Sequence, residues 1–349
     1  MKLAKILFLH SELAKYFIAS LKELSKKAEV HVVHWPINSE APFKFDKDRE
    51  INYYPKHEFT SEQLLALCQD ISPDMVIVSG WRDKEYMSII KELVQVPVRV
   101  MSLDNPWAGK VKQRIWSALS RKSLLPFFTH CWVAGERQRT YARKLGFKEN
   151  RILDKLYSAD SELFERVNQI RVSKTTKERA KRFVYIGRYS EEKGIDILFD
   201  AFLDYSKKPE NDWELWCLGT GPLFDQKPEH ERIKHFGFVQ PEDMPKILEE
   251  VDAFVLPSIF EPWGLVAHEM AAAGLPMILT DKVGATEEFL VDGKNGFLVV
   301  PGSKNELRVA MEKITQLSEK EYVEMSKVSS ELSKRQSPAI WADNVMELL

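Results

Sequence analysis

The chain has 349 residues, 44% hydrophobic and 29% charged, and its 50 Lys and Arg nearly balance its 52 Asp and Glu for a net charge of −2. That length exceeds one ordinary core and suggests two domains. The composition excludes a disordered chain, and the charge balance gives no global argument for nucleic acid as a partner.

In chain order, "MKLAKILFLHSEL" has lysines and a short apolar run that stops at His10 and Ser11. The run is too short for a signal segment or a membrane span and reads as a first strand. In "SELAKYFIASLKELSKKA", Leu13, Phe17, Leu21 and Leu24 recur at helical spacing. Then follow "VHVVHW" (strand), "SEQLLALCQDI" (helix), "DMVIVSG" (strand), "KEYMSIIKELV" (helix) and "PVRVMSL" (strand). This alternation predicts βαβ units with a parallel sheet. Residues 36–59 are polar and poorly periodic and read as loop or short edge structure.

A second series opens near residue 182 with "RFVYIG" (strand) and "GIDILFDAFLDYSK" (helix). It continues through "WELWCLG" and "AFVLPS" (strands), "GLVAHEMAAA" (helix) and "PMILTD" (strand). The polar stretch 157–181 between the series reads as a linker. The expected fold class is therefore α/β, with two Rossmann-like domains and a ligand cleft at the carboxyl ends of their strands. Cys68, Cys131 and Cys217 are odd in number and widely spaced. That argues against a disulfide framework or a zinc cluster and fits a reducing cytoplasm.

Three stretches carry chemistry. In "YIGRYSEEKGIDIL" a strand ends at Gly187, and Arg188 and Lys193 sit on the loop before a helix. Two cations beside a helix N-terminus suit a diphosphate, although a solvated basic loop reads the same way. The Walker pattern is missing. In "WCLGTGP", Gly219 and Gly221 directly follow a strand, where small residues let backbone approach a ligand or form an ordinary turn. In "IFEPWGLVAHEM", Glu261 and Glu269 lie eight positions apart around a helix start shaped by Pro262 and Gly264. A helical rise of ~1.5 Å per residue gives that spacing roughly 12 Å. That is too far for the paired carboxylates of a retaining glycosidase, which stand about 5 Å apart. It suits two groups holding an extended ligand such as a nucleotide sugar, since ionised carboxylates accept from hydroxyl pairs.

Together, "FVYIGRYSEEKGIDIL" and the stretch from "PSIFEPWGLVAHEM" to "NGFLV" resemble the C-terminal half of a GT-B glycosyltransferase of family 4, the retaining nucleotide-sugar group with a Glu-x7-Glu signature. The match is dense from about 183 to 300, and "YSADSELF" is similar to that family's interdomain joint. The resemblance implies a GT-B fold, with an acceptor-side domain over 1–164 and a nucleotide-sugar domain over 165–334. A C-terminal helix at about 335–349 would return to the first domain. Arg188 and Lys193 would bind the donor diphosphate, Glu269 the ribose and Glu261 the transferred sugar. Gly187 and Gly219 would line the donor, Gly264 and Leu265 would offer backbone amides, and Phe238 and Val239 would lie against the base. No metal and no cofactor are expected. The implied reaction moves a sugar, UDP-linked by default, to a hydroxyl of a glycan or lipid-linked acceptor with retention, in surface polysaccharide or glycolipid assembly. A nucleotide-sugar epimerase and a non-catalytic nucleotide-sugar scaffold are the alternatives.

The N-terminal half departs from the family pattern. "HSELAKYF" has no glycine after the first strand, and Asp104 in "MSLDNPW" stands where a His is common. His10, Trp81, Arg82, Asp104 and Asn105 all follow strands and are acceptor-side candidates, with Asp104 a catalytic one; capping or packing is the other reading for each. His31 and His34 read as structural. The "DKD" of Asp46 to Asp48 invites a metal motif but sits in a polar loop and is discounted. Finally, residues 107–128 contain no acidic residue. Lys110, Arg114 and Arg121 share one side of a helix, and Val111, Ile115, Ala118 and Leu119 form the adjoining apolar face, with Trp107, Trp116, Phe127 and Phe128 nearby. Such a helix can lie on the anionic inner face of the cell membrane, or be an ordinary half-buried helix with solvated cations.

Overall fold

A computed structural model describes residues 3–36, 49–173 and 179–349; Asp46 and Asp48 lie outside the described residues. The chain divides into two units, one of Met1–Ser158 with Gln336–Leu349, the other Ala159–Arg335. The first break falls inside "YSADSELF".

The first unit opens with β1 (Lys5–His10), α1 (Lys15–Ser25), β2 (Glu29–His34), β3 (Ile51–Pro55), α2 (Ser61–Ile71) and β4 (Met75–Val78). It continues with α3 (Lys84–Glu92), β5 (Val98–Leu103), α4 (Val111–Ser123), β6 (His130–Val133), α5 (Glu136–Leu145) and β7 (Ile152–Leu153). The seven strands pair in parallel in the order β3-β2-β1-β4-β5-β6-β7. Strands covered on both faces need unbroken apolar runs, and β1 supplies one in Ile6 to Leu9, all buried. β3 is the short edge structure expected in 36–59; its terminal Pro55 suits an edge, where a missing N–H costs no ladder bond.

The second unit contains α6 (Ser161–Val172), β8 (Arg182–Ile186), α7 (Ile195–Ser206), β9 (Glu214–Leu218), β10 (Ile233–Gly237), α8 (Met244–Leu248) and β11 (Ala253–Leu256). After these come α9 (Leu265–Ala272), β12 (Met277–Thr280), α10 (Thr286–Phe289), β13 (Gly296–Val299), α11 (Lys304–Thr315) and α12 (Glu319–Ser333). Its six strands are also parallel, ordered β10-β9-β8-β11-β12-β13. The linker expected over 157–181 is corrected here, because Ser161–Val172 within it form α6. Phe164 and Val167 are buried, and the third residue of that stripe is Arg171, also buried. Its guanidinium donates to the carbonyls of Val251 and Ala273 at 3.0 Å and to the Tyr322 hydroxyl.

The last helix, α13 (Pro338–Met346), belongs to the first unit. Trp341 stacks on Phe8 at 5.9 Å and lies 4.9 Å from Trp132, and its indole N–H donates to the Leu156 carbonyl at 2.8 Å.

Both sheets are doubly wound. In the first, the chain runs outward from β1 to β3 and then returns to place β4 beside β1; in the second, it runs from β8 to β10 and returns to place β11 beside β8. Ligands of such sheets bind outside the carboxyl ends of the strands at this switch point. The fold thus points at the segments after β1 and β4, and at those after β8 and β11.

Candidate functional site

At the second switch point the loops after β8 and β11 are clasped together. The amides of Ile259 and Phe260 donate to the Glu192 carbonyl at 2.8 and 3.1 Å. Gly194, in the left-handed region at φ 64°, opens α7 so close to the second loop that a Cβ would stand 2.4 Å from the Pro257 carbonyl oxygen. Lys193 Nζ pairs directly with Glu261 Oε2, and both side chains are largely covered. An ammonium carries three donors, so this pairing leaves Lys193 able to share itself with a phosphate. Arg188 is half exposed and reaches the Glu192 carboxylate at 3.5 Å.

Glycines make this crowding possible. A Cβ on Gly219 would lie 2.0 Å from the Gly187 carbonyl oxygen, and one on Gly221 would meet the Tyr189 backbone and Arg188 Cγ at 2.6–2.8 Å. Gly264 holds φ 87° and turns the chain from Glu261 into α9, where a Cβ would meet Glu261 Cγ at 2.9 Å. Only the segment from Leu265 onward is helical, so a helical rise applies to four of the eight steps from Glu261 to Glu269. Two tyrosines were not singled out from the sequence: the Tyr185 hydroxyl donates to the Arg188 carbonyl at 2.8 Å, and Tyr189 contacts His235 at 2.9 Å. Their signal is the bare "VYIGRY" repeat of aromatics around the glycine, which periodicity assigns to core packing.

Glu269 lies one helical turn inside α9. Burial, then the nearby Asp160 carboxylate, raise its pKa to about 7. Its neighbour His268 is fully buried and stacked on Phe289 at 4.3 Å. The His268 Nδ1 accepts from the Ala159 amide at 3.0 Å, which leaves Nε2 to donate to the Ser333 carbonyl at 2.9 Å. Phe238 and Val239 follow β10, whose Gly237 carbonyl accepts from the Gly219 amide at 2.7 Å. The structure therefore brings Gly187, Arg188, Lys193, Gly219, Glu261, Gly264 and Leu265 to one switch point.

In the first unit, the acceptor-side candidates end β1, β4 and β5. The His10 ring packs face to face on Phe17 at 3.9 Å, and burial lowers its pKa to about 4, so it is neutral. Trp81 is partly buried against Tyr141 at 6.0 Å, whereas Arg82 is exposed. Asp104 is exposed; it accepts from Asn105 at 3.0 Å and from the Tyr157 hydroxyl at 3.4 Å. His31 and His34 are buried, His31 bonded to Tyr54 and Glu29. Among the described residues, no group of three or more His, Cys, Asp or Glu is arranged to hold a metal ion.

These features define a class: two doubly wound parallel α/β units with an anion-suited switch point in the second, which is the GT-B fold. Similarity to solved structures supports it along the whole chain. Anabaena HepE in complex with UDP superposes with a TM-score of 0.71 at 15% identity, covering 98% of each chain. Sucrose-phosphate synthase from Thermosynechococcus elongatus gives 0.72 at 16%, covering 99% of this chain and 98% of that one. Residues 167–331, all within the second unit, match the family described as glycosyl transferases group 1. Among curated relatives, a glycogen synthase of Mycobacterium tuberculosis is 34% identical over 125 residues, 34% of this chain and 30% of that protein. An uncharacterized protein of the Klebsiella pneumoniae cps region is 29% identical over 199 residues, 54% of this chain and 52% of that protein. The chain thus spans about half or less of the curated relatives it matches.

Proposed function

We propose that this chain is a retaining, metal-independent glycosyltransferase that moves a sugar from a UDP-sugar to a hydroxyl of a glycan or lipid-linked acceptor. The observation that carries this reading is the clasped switch point, where Lys193 pairs with Glu261 and Arg188 reaches Glu192 on the same loop, beside backbone that glycines leave open. Solved structures of similar fold were captured with UDP and with UDP-glucose, which favours a uridine donor. In this reading Arg188 and Lys193 hold the diphosphate, Glu261 the transferred sugar, Glu269 the ribose, and Phe238 and Val239 the base. Breaking the sugar–phosphate bond builds negative charge on the leaving group, and preorganised cations and the α9 N-terminus stabilise it. The acceptor attacks from the same face and its proton passes to the departing phosphate. Asp104, with Asn105, His10, Trp81 and Arg82, serves the acceptor side.

A thermal-shift titration with UDP, UDP-glucose and GDP-mannose tests this. A ligand at a hundred times its Kd stabilises by about 2.7 kcal/mol. The UDP compounds should raise the Tm, EDTA should leave that rise unchanged, and Arg188→Ala should lower affinity about tenfold or more through the lost charge-assisted bonds. No shift with any nucleotide, or an Arg188→Ala variant that binds as well as the parent, would sink the assignment.

A further inference from the structure

A half-buried helix normally turns its apolar stripe inward and its polar side to water. Helix α4 does the reverse. Its inner side is small and polar: Ser120 is fully buried with its hydroxyl donating to the Leu145 carbonyl at 2.6 Å, and Gln113 bridges the Ala108 amide and the Pro106 carbonyl at 2.8 and 2.9 Å. Its outer side carries Val111, Ile115, Leu119 and Trp116, which are 71, 54, 54 and 44% exposed. Residues three and four apart share a helix face, so Val111, Ile115, Ala118 and Leu119 make one continuous apolar stripe. The stripe is framed by cations: Lys112 on one flank, Arg114 and Arg121 on the other, and Lys122 at its end, all exposed. No Asp or Glu occurs from Trp107 to Gly135, in a chain whose net charge is −2. The aromatics flanking the helix do not extend the patch, because Phe128 is in the core and Trp107 packs against Tyr141 at 5.4 Å.

We infer that the outer face of α4 is a docking surface for an anionic lipid bilayer. The charge decides between occupants. A second copy meeting this face about a two-fold axis would set cations against cations, because the helix offers no Asp or Glu to pair with them, and that repels. An anionic bilayer supplies both what the stripe needs, an apolar layer, and what the frame needs, negative headgroups, at roughly 1 kcal/mol per Lys or Arg near the surface. The helix starts seven residues after Asp104, so a bilayer seated on it lies close in sequence to the acceptor-side candidates. The inference rests on the transferase reading only in this last respect, where it makes the acceptor a lipid-linked one.

Vesicle sedimentation tests it, using phosphatidylcholine alone and phosphatidylcholine mixed with phosphatidylglycerol in equal parts. The chain should pellet with the anionic vesicles, stay in solution with the neutral ones, and be released by high salt. Ile115→Glu with Leu119→Glu should abolish pelleting without lowering the Tm, since both side chains already face water. Lys112→Glu with Lys122→Glu should lower partitioning about 25-fold or more, at about fivefold per cation. Failure to pellet with anionic vesicles, pelleting of the Ile115/Leu119 variant like the parent, or equal binding to neutral vesicles each overturns the inference. So does a concentration-dependent dimer that the Ile115/Leu119 variant dissolves, because a second copy then covers the face. The UDP-sugar thermal shift, measured on the same variants, separates the two readings: vesicle binding without any shift overturns the transferase alone, and a shift without vesicle binding overturns the docking surface alone.

Discussion

Glu269 differs from the other charged residues of the site in its surroundings. Burial and the Asp160 carboxylate favour its neutral form in the folded chain, raising its pKa from 4.5 to about 7. The linkage sign follows from proton counting. Between about 4.5 and about 7 the unfolded chain has lost this proton while the folded chain keeps it, so stability falls as pH rises through that window. Glu269→Gln should flatten that part of the Tm–pH curve, measured against the parent in the same buffers. A ribose held by the carboxylate form requires the opposite ionisation. UDP affinity should therefore rise as pH passes through about 7 and fall about tenfold per unit below it. A parent whose UDP affinity is flat from pH 5 to about 8 would remove Glu269 from the ribose. The sequence marked this residue by its spacing from Glu261, but not its pKa, which depends first on burial and then on a carboxylate more than a hundred positions earlier.

At the scale of elements, α9 is the piece that joins the site to the frame of the second unit. His268 sits on its buried side and bonds both Ala159, the first residue of that unit, and Ser333, near its last. His268→Leu keeps the approximate volume but removes the two ring nitrogens that bond the Ala159 amide and the Ser333 carbonyl, and each buried bond lost costs about 1–3 kcal/mol. Denaturant unfolding of that variant should show a loss within about 2–6 kcal/mol, and an unchanged midpoint would mean that water or another side chain replaces the ring. Residues of this kind explain what the sequence hid. α6 read as a linker because the charged Arg171 occupies a core position of its stripe, and charge at a core position erases a period. β6, α5 and β7 were missed because four- and two-residue strands carry too little pattern. α5 itself shows only Tyr141, Ala142 and Leu145 as apolar core residues among charged ones. Elements with long apolar runs, such as β1, β8 and α7, were legible throughout. The outward stripe of α4 was legible as a stripe, but only packing could say which way it faced.

For the whole molecule, the same sequence logic that separates two βαβ series cannot show that the last helix completes the first of them. α13 fills the first unit through Trp341, whose ring meets Phe8, Phe17 and Trp132 and is 3% exposed. Truncating a buried aromatic of this size typically costs about 3–5 kcal/mol. Trp341→Ala also leaves the Leu156 carbonyl, two residues before the break between units, without its indole donor. The consequence is specific to one unit. Arg188, Lys193, Glu261 and Glu269, the residues proposed to hold the donor, all lie in the other, so under that proposal a nucleotide sugar should still bind and stabilise that unit in the variant. Calorimetry of Trp341→Ala should therefore resolve a lowered transition that UDP-glucose does not move and a second that it raises. If UDP-glucose raises both transitions together, the units do not unfold independently and the domain-by-domain account of stability is wrong.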